Sequence, residues 1–547
     1  MHTFRALVVD DQADIRELAL DAGADHEGLE VLVAADLAEA QAILTENFVH
    51  VAFVDLQLGE GARINVDGMT VLKDLSDARP SAKRFLLTQY PTVYRRQLFQ
   101  LLDPENPIID GALDKDDFEH LFVDYVDQQA TDWLRAPVEV LGIGGLLDGL
   151  DRKRLRSARS LSGNPVQTSG DELDYVIARL FGQGEPEDPD GVDDEIESVT
   201  LTPLTGGKSR SVVAAGVPLT RGHGEGIPCV VKVGARADAE EEIRRYNRYV
   251  RYRVALHRRV EVLSSCLGDT LGAVCYSFAG DDPGEITDLQ TLLDAESPRA
   301  VECVETLFGE EAVWNDPGRS KPDLAGFFAR AYGLDALRSL TAMRDFAKSR
   351  PVRELGVKLG DDCLTVGDAT VDLLRDADLG GGRLRRRYEA SIVHGDLNAS
   401  NVIVADSGAI TLIDFRHTTR GPASIDYAAL QASIRLTVGA RRAIVPSAKT
   451  ILAAEKRLWR EEFSASGAWW PEEAGDTPFW AQASAAVRAR TIANLPSVST
   501  SEHAATCLLY ALRVFRVSSI APEARLRLLI WISVLVASLN TESGAAQ

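Results

Sequence analysis

Short apolar runs alternate with stretches of helical spacing through residues 1–130: Phe4 to Val9, then Ile15, Leu18, Ala19 and Ala22, then Val31 to Ala34, Val51 to Val54, Phe85 to Leu87 and Ile108 to Leu113. This alternation leaves few folds open, because strands separated by crossover helices pair in parallel and are covered on both faces. Ligands of such doubly wound sheets bind beyond the carboxyl ends of the strands. Leu7-Val8-Val9 runs into Asp10-Asp11, and Val51 to Val54 runs into Asp55, so three carboxylates are expected at one sheet edge. Carboxylates gathered there repel one another unless a hard cation with oxygen ligands intervenes, and Mg²⁺ fits that need. Thr88 at the end of the fourth strand offers a hydroxyl, and Lys115 after the fifth offers an ammonium, both suited to phosphoryl oxygens.

Asp10-Asp11, Asp55, Thr88 and Lys115, in that order and at those strand ends, resemble the receiver domain of two-component response regulators, a flavodoxin-like five-stranded fold. The resemblance covers residues 1–130. It implies that Asp55 accepts a phosphoryl group from a cognate sensor histidine kinase, that Asp10, Asp11 and Asp55 bind Mg²⁺, and that Thr88 and Lys115 read the phosphorylated state. It also admits pairing of two copies through the receiver. Three departures stand out: a long Gly59 to Asp67 segment, Asp116 after Lys115 where the family has proline, and Ala112 where it commonly has a switch aromatic.

A second constellation lies far downstream. Val393-His394-Gly395-Asp396-Leu397-Asn398-Ala399-Ser400-Asn401 is followed by the apolar run Ala409 to Ile413 and by Asp414-Phe415. Phosphoryl transfer needs a carboxylate to orient and deprotonate the incoming hydroxyl, and oxygen ligands for the metal on the nucleotide phosphates. Asp396 suits the first task, and Asn401 and Asp414 suit the second. The run Cys229-Val230-Val231-Lys232-Val233 supplies a lysine among apolar neighbours, and Glu242, ahead of Tyr246, is its preferred partner on the following helix. Gly206 and Gly207, between two strand-like runs, let backbone amides approach phosphate.

Together these residues resemble the aminoglycoside phosphotransferase branch of the protein-kinase-like fold over residues 199–540. His394-Gly-Asp396 and Asp414-Phe415-Arg416 are typical of that branch. The resemblance implies ATP as phosphodonor, with adenine near Phe278, Ala279 and Gly280, His394 orienting the catalytic loop, and Asp426 bracing it.

Between the two resemblances, residues 131–183 read as polar helices of low distinction, and Gly184 to Glu197 is a carboxylate-, proline- and glycine-rich linker. The expected organisation is a receiver at 1–130, a helical connector and acidic linker at 131–198, a kinase-like amino-terminal lobe at 199–280 and a helical carboxy-terminal lobe at 281–547. The fold class is thus multidomain, an α/β doubly wound sheet followed by a bilobal α+β domain.

Lys plus Arg number 59 against 82 Asp plus Glu, a formal charge of −23 that opposes general nucleic-acid binding and anionic lipid surfaces. The six cysteines form no CxxC pair, so neither a zinc site nor a disulfide framework is expected. Leu528 to Leu539 is too short to span a bilayer, which takes about 20 apolar residues. No basic-then-apolar segment opens the chain, and a cytoplasmic location without membrane insertion is expected. The function these features favour is a response regulator whose phosphorylated receiver controls an ATP-dependent phosphotransferase acting on an unknown small-molecule or protein hydroxyl. The competing class is a non-catalytic kinase-like scaffold that binds nucleotide and partner proteins.

Overall fold

Five strands with intervening helices form the first sheet: β1 (Phe4–Val9), α1 (Ala13–Ala24), β2 (Leu29–Ala34), α2 (Leu37–Glu46), β3 (Val51–Asp55), α3 (Asp67–Ala78), β4 (Lys83–Thr88) and β5 (Gly111–Asp114). The strand order is β2-β1-β3-β4-β5, every pair parallel. Alternate residues of β1 face opposite sides. Leu7 and Val9 join Leu44 of α2 and Val71, Leu72 and Leu75 of α3, whereas Ala6 and Val8 pack with Ala19 of α1 and with Phe118 and Phe122. Two buried faces explain why these strands read as unbroken apolar runs.

The structure is a computed structural model. It describes residues 4–24, 28–58, 67–78, 81–89, 108–115, 118, 122–123, 138–152, 157–159, 165–167, 170–182, 196–204, 211–220, 224–279, 286–309, 320–347, 357–359, 363–366, 369–372, 384–436, 447–460, 463, 469–472, 476–517 and 520–544. The chain divides into two compact units, Met1–Ile243 with Val262–Phe278, and Arg244–Glu261 with Ala279–Gln547.

The first unit also contains β6 (Glu139–Leu141), α4 (Ile143–Arg152), a small hairpin of β7 (Ser157–Arg159) and β8 (Pro165–Gln167), and α5 (Gly170–Phe181). These precede β9 (Ile196–Pro203), β10 (Val212–Thr220), β11 (Gly224–Glu225), β12 (Cys229–Ala235), α6 (Arg236–Arg245), β13 (Val262–Leu267) and β14 (Leu271–Ser277). The second sheet has the order β13-β14-β12-β10-β9-β6, with β11 on β10. Residues 139–181, expected as a polar connector, supply an edge strand parallel to β9 and two helices packed on this sheet. The reason is a stripe that the overall polarity hides. Leu173, Val176, Ile177 and Leu180 recur at helical spacing and are all buried against Val199, Leu201, Val231 and Ala273. Glu172, also buried, accepts from the Thr270 and Leu271 amides at 2.5 and 2.9 Å and from the Thr270 hydroxyl at 2.7 Å, tying α5 to the β13–β14 turn.

That turn meets the first sheet. Asp269 Oδ1 accepts from the Ser81 amide at 3.1 Å and its hydroxyl at 2.5 Å, just ahead of β4. Ahead of β3, His50 lies among Phe4, Phe48 and Tyr175, with its Nδ1 accepting the Arg5 amide proton at 2.9 Å. Burial, helped by Arg5, lowers its pKa to about 3. The folded chain binds this proton more weakly than the unfolded chain, so the His50 contribution is complete above pH ~6.5 and is lost progressively as pH falls toward 3. The unfolding midpoint of wild type should therefore drop more steeply between pH 7 and pH 5 than that of His50→Gln. Parallel pH slopes would refute this account.

In the second unit a π-helical turn at Tyr246–Val250 follows α6, and a 3₁₀ turn occupies Leu256–Arg258. Arg259 and Val260 then engage Leu412. There follow β15 (Ile286–Asp288), α7 (Leu289–Asp294), α8 (Arg299–Leu307), β16 (Ser320–Lys321), α9 (Leu324–Tyr332), α10 (Ala336–Ala347) and the meander β17 (Val357–Leu359), β18 (Cys363–Val366) and β19 (Ala369–Asp372). Next come β20 (Tyr388–Val393), β21 (Val402–Ala405), β22 (Ile410–Leu412), β23 (Thr419–Pro422), α11 (Ile425–Leu436), α12 (Ala448–Leu458), α13 (Phe479–Asn494), α14 (Thr500–Phe515) and α15 (Pro522–Gly544). Helices α11 and α14 are buried along nearly their whole length. No described helix is long and apolar enough to cross a membrane.

Candidate functional site

In the first sheet the chain leaves β1 for β2 on one side and returns to β3 on the other, so the ends of β1 and β3 flank the switch point where ligands of such folds bind. Asp10, Asp11 and Asp55 offer carboxylate oxygens that all lie within 4.8 Å of one another. Asp10 is fully buried and its Oδ1 accepts the Gln12 amide at 3.0 Å. Lys115 Nζ lies 2.8 Å from both Asp10 Oδ2 and Asp55 Oδ2. Burial raises the Asp55 carboxyl above its ordinary value against the pull of Lys115. Thr88 is buried at the end of β4, the neighbour of β3. Gly68 lets the chain return close to Asp55, since a Cβ there would lie 1.9 Å from the Asp55 carbonyl oxygen. Ala112 is exposed on β5. A dense all-oxygen set of this kind suits a hard divalent cation.

On the second sheet Lys232 lies on β12, and its ammonium is 2.8 Å from Glu242 Oε2 and 2.9 Å from Oε1. Glu242 is buried on α6 and also accepts from the Tyr276 hydroxyl at 2.5 Å. A buried carboxylate with both a cation and a hydroxyl keeps its charge compensated. Phe278 lies just past β14, half-buried. Gly206, Gly207 and Gly280 lie outside the described residues.

In the second unit, β20 delivers His394-Gly395-Asp396. Asp426, at the start of α11 and buried, accepts the His394 amide with Oδ2 and the Gly395 amide with Oδ1, both at 2.8 Å. Burial pushes its carboxyl above the usual range although His394 and those amides oppose the shift. Gly395 has φ +81°, and a Cβ there would lie 2.4 Å from the His417 carbonyl oxygen. Glycine at this position thus lets two backbone segments close on each other. His394 Nε2 lies 2.9 Å from the Ile413 carbonyl oxygen, and its ring packs 5.2 Å from Phe415. Phe415 in turn meets Tyr246 at 5.8 Å.

The chain then turns back. Asn401 Nδ2 donates to the Asp396 carbonyl at 2.9 Å, so its amide oxygen is the atom that could face a cation. The Ile413 amide donates to the Asn401 carbonyl at 3.1 Å, bringing the start of Asp414-Phe415 beside the loop. Asp414 itself has φ +62°, a left-handed conformation that Asp tolerates better than most residues. Burial alone would raise the Asp396 carboxyl, but Arg513, His417 and the Tyr510 hydroxyl outweigh it and hold the group below the ordinary carboxylate range. His417, pushed down to about 4 by burial, is neutral at pH 7. Sequence reading did not identify Tyr332, Tyr510 or Arg513, because no local motif marks them.

Residues 200–445 match the phosphotransferase enzyme family. No curated protein matches the chain. Among solved structures, a CheY-like receiver domain protein from Methanospirillum hungatei JF-1 is 21% identical, covering 23% of this chain and 93% of that one with a TM-score of 0.20. The isolated receiver domain of RcsB from Salmonella enterica serovar Typhimurium is 20% identical, covering 23% and 90% with a TM-score of 0.19. A thermostable mutant of aminoglycoside phosphotransferase APH(4)-Ia, in ternary complex with ADP and hygromycin B, is 14% identical, covering 64% and 96% with a TM-score of 0.31. The strand order of the first sheet and the family match further along make this chain similar to a response-regulator receiver domain followed by a domain of the phosphotransferase enzyme family.

Proposed function

We propose that this chain is a response regulator in which phosphorylation of Asp55 by a sensor histidine kinase controls transfer of a phosphoryl group from ATP to a hydroxyl acceptor. The observation that carries the reading is the single short segment joining Asp396, the Asn401 amide oxygen and Asp414, with Asp426 fixing its backbone. Asp396 orients the acceptor hydroxyl and takes its proton as the acceptor oxygen bonds to the γ-phosphorus; the bond to the bridging oxygen breaks and ADP leaves. Asn401 and Asp414 would hold Mg²⁺, which when bound neutralises charge on the phosphates. Lys232, kept in place by Glu242, is suited to pair with phosphate oxygens. In the receiver Asp10, Asp11 and Asp55 would hold a second Mg²⁺, with Lys115 and Thr88 meeting the phosphoryl group on Asp55.

Contacts within the first unit join the receiver-like sheet to the sheet that carries Lys232. Ser81, just ahead of β4, binds Asp269, the neighbouring Thr270 carbonyl accepts the Arg236 amide at 2.8 Å, and Arg236 opens the helix that carries Glu242. Coupling between sites typically amounts to about 1 to 3 kcal/mol, a 5- to 150-fold effect. ATP turnover by the full chain with Mg²⁺ should change by about that factor when acetyl phosphate is added, and Asp55→Ala should abolish the response. Equal rates under all these conditions would remove the regulatory half of the proposal. ATP binding without turnover would favour a scaffold.

A further inference from the structure

We propose that Tyr510 and Arg513, from a helix outside the family-matched residues, are positioning residues that clamp one oxygen of Asp396 and leave the other open to the acceptor hydroxyl. The inference rests on the phosphotransferase reading of Asp396. Helix α14 begins at an N-cap, Ser499, whose hydroxyl accepts the Glu502 amide at 3.1 Å, and its middle turns are buried. Residues three apart on a helix share a face. Tyr510 and Arg513 therefore leave this fixed helix together. The Tyr510 hydroxyl donates to Asp396 Oδ1 at 2.5 Å and Arg513 Nη1 donates to the same oxygen at 2.9 Å.

Three further features favour a role at the reacting group over one in packing alone. Both donors converge on Oδ1, and no donor among the described residues is bound to Oδ2. The side chains of Asp396 and Arg513 keep 21% and 22% of their surface exposed, so the open oxygen is not sealed in the core. The guanidinium is itself immobilised, 4.3 Å from the Tyr332 ring and 5.1 Å from that of Tyr510, while the Tyr332 hydroxyl donates to the Gly395 carbonyl at 2.7 Å. Tyr332 thus steadies the backbone on one side of Asp396 and the Arg513 side chain on the other. A base locked by partners that are themselves packed is preorganised for the transition state.

The test is steady-state hydrolysis of Mg·ATP by the full chain, with water as acceptor, in wild type, Arg513→Met, Arg513→Lys and Tyr510→Phe. Loss of the clamp should appear in kcat, falling about 10²-fold in Arg513→Met, with KM for ATP nearly unchanged. Arg513→Lys, which returns the charge without the fork, should recover part of the loss. An unchanged kcat, or a rise in KM that accounts for the whole effect, would overturn the proposal. A thermal-unfolding cycle of Asp396→Asn, Arg513→Met and the double variant needs no turnover: non-additive shifts in midpoint are expected, and additive shifts overturn the clamp by themselves. A wild type inert toward ATP would instead overturn the phosphotransferase reading.

Discussion

Asp396→Asn should lower ATP turnover by about 10²- to 10⁴-fold, the usual contribution of a positioned general base, while nucleotide affinity stays close to wild type. The substitution is nearly isosteric and its side-chain oxygen can still accept from Tyr510, so the loop that Asp426 pins by two backbone amides should keep its course. What is lost is the ability to take a proton. Measurement of kcat beside the dissociation constant of a nucleotide separates the two effects. Retained turnover in Asp396→Asn would show that chemistry at this centre does not pass through the carboxylate.

Arg435→Met should cost about 3 to 5 kcal/mol of stability in the carboxy-terminal unit, the penalty for leaving one partner of a buried ion pair uncompensated. Arg435 on α11 and Glu455 on α12 are 0% and 1% exposed, joined by two parallel bonds of 2.7 and 2.8 Å. The guanidinium also donates to the Gln431 carbonyl at 2.8 Å and lies 4.3 Å from the Trp531 ring on α15. Thermal unfolding followed by tryptophan fluorescence reads this neighbourhood directly. The double variant Arg435→Met with Glu455→Leu should recover most of the loss, because an apolar replacement of both partners removes the stranded charge. A double variant no more stable than Arg435→Met alone would show that packing of these helices, and not charge, sets the cost.

Much of the geometry of the two candidate sites could be read from the amino-acid order because the residues involved sit at ends of regular elements. Asp10, Asp55 and Thr88 each end or follow a run whose apolar pattern announces a strand, and parallel pairing then gathers the strand ends at one edge. Asp396, Asn401 and Asp414 lie within one loop and hairpin, so local spacing alone limits how far apart they can be. Arg513 and Tyr510 differ in kind. They stand 117 and 114 residues from Asp396, and their arrival depends on how α14 packs, which no short motif encodes. The segment 139–181 was missed for another reason: in α5 a narrow apolar stripe is diluted by Asp171, Glu172, Asp174 and Arg179, so average polarity conceals its buried face.

The way α5 is built into the second sheet bears on how such a chain can be taken apart. Its apolar stripe covers Val199, Leu201 and Val231, and Glu172 satisfies two amides of the β13–β14 turn. Severing the polypeptide at the acidic stretch would strip a layer from the interior and strand those donors. A fragment that keeps the second sheet whole therefore starts no later than Val138, and the described stretch ahead of the family-matched residues belongs to that sheet and not to a tether.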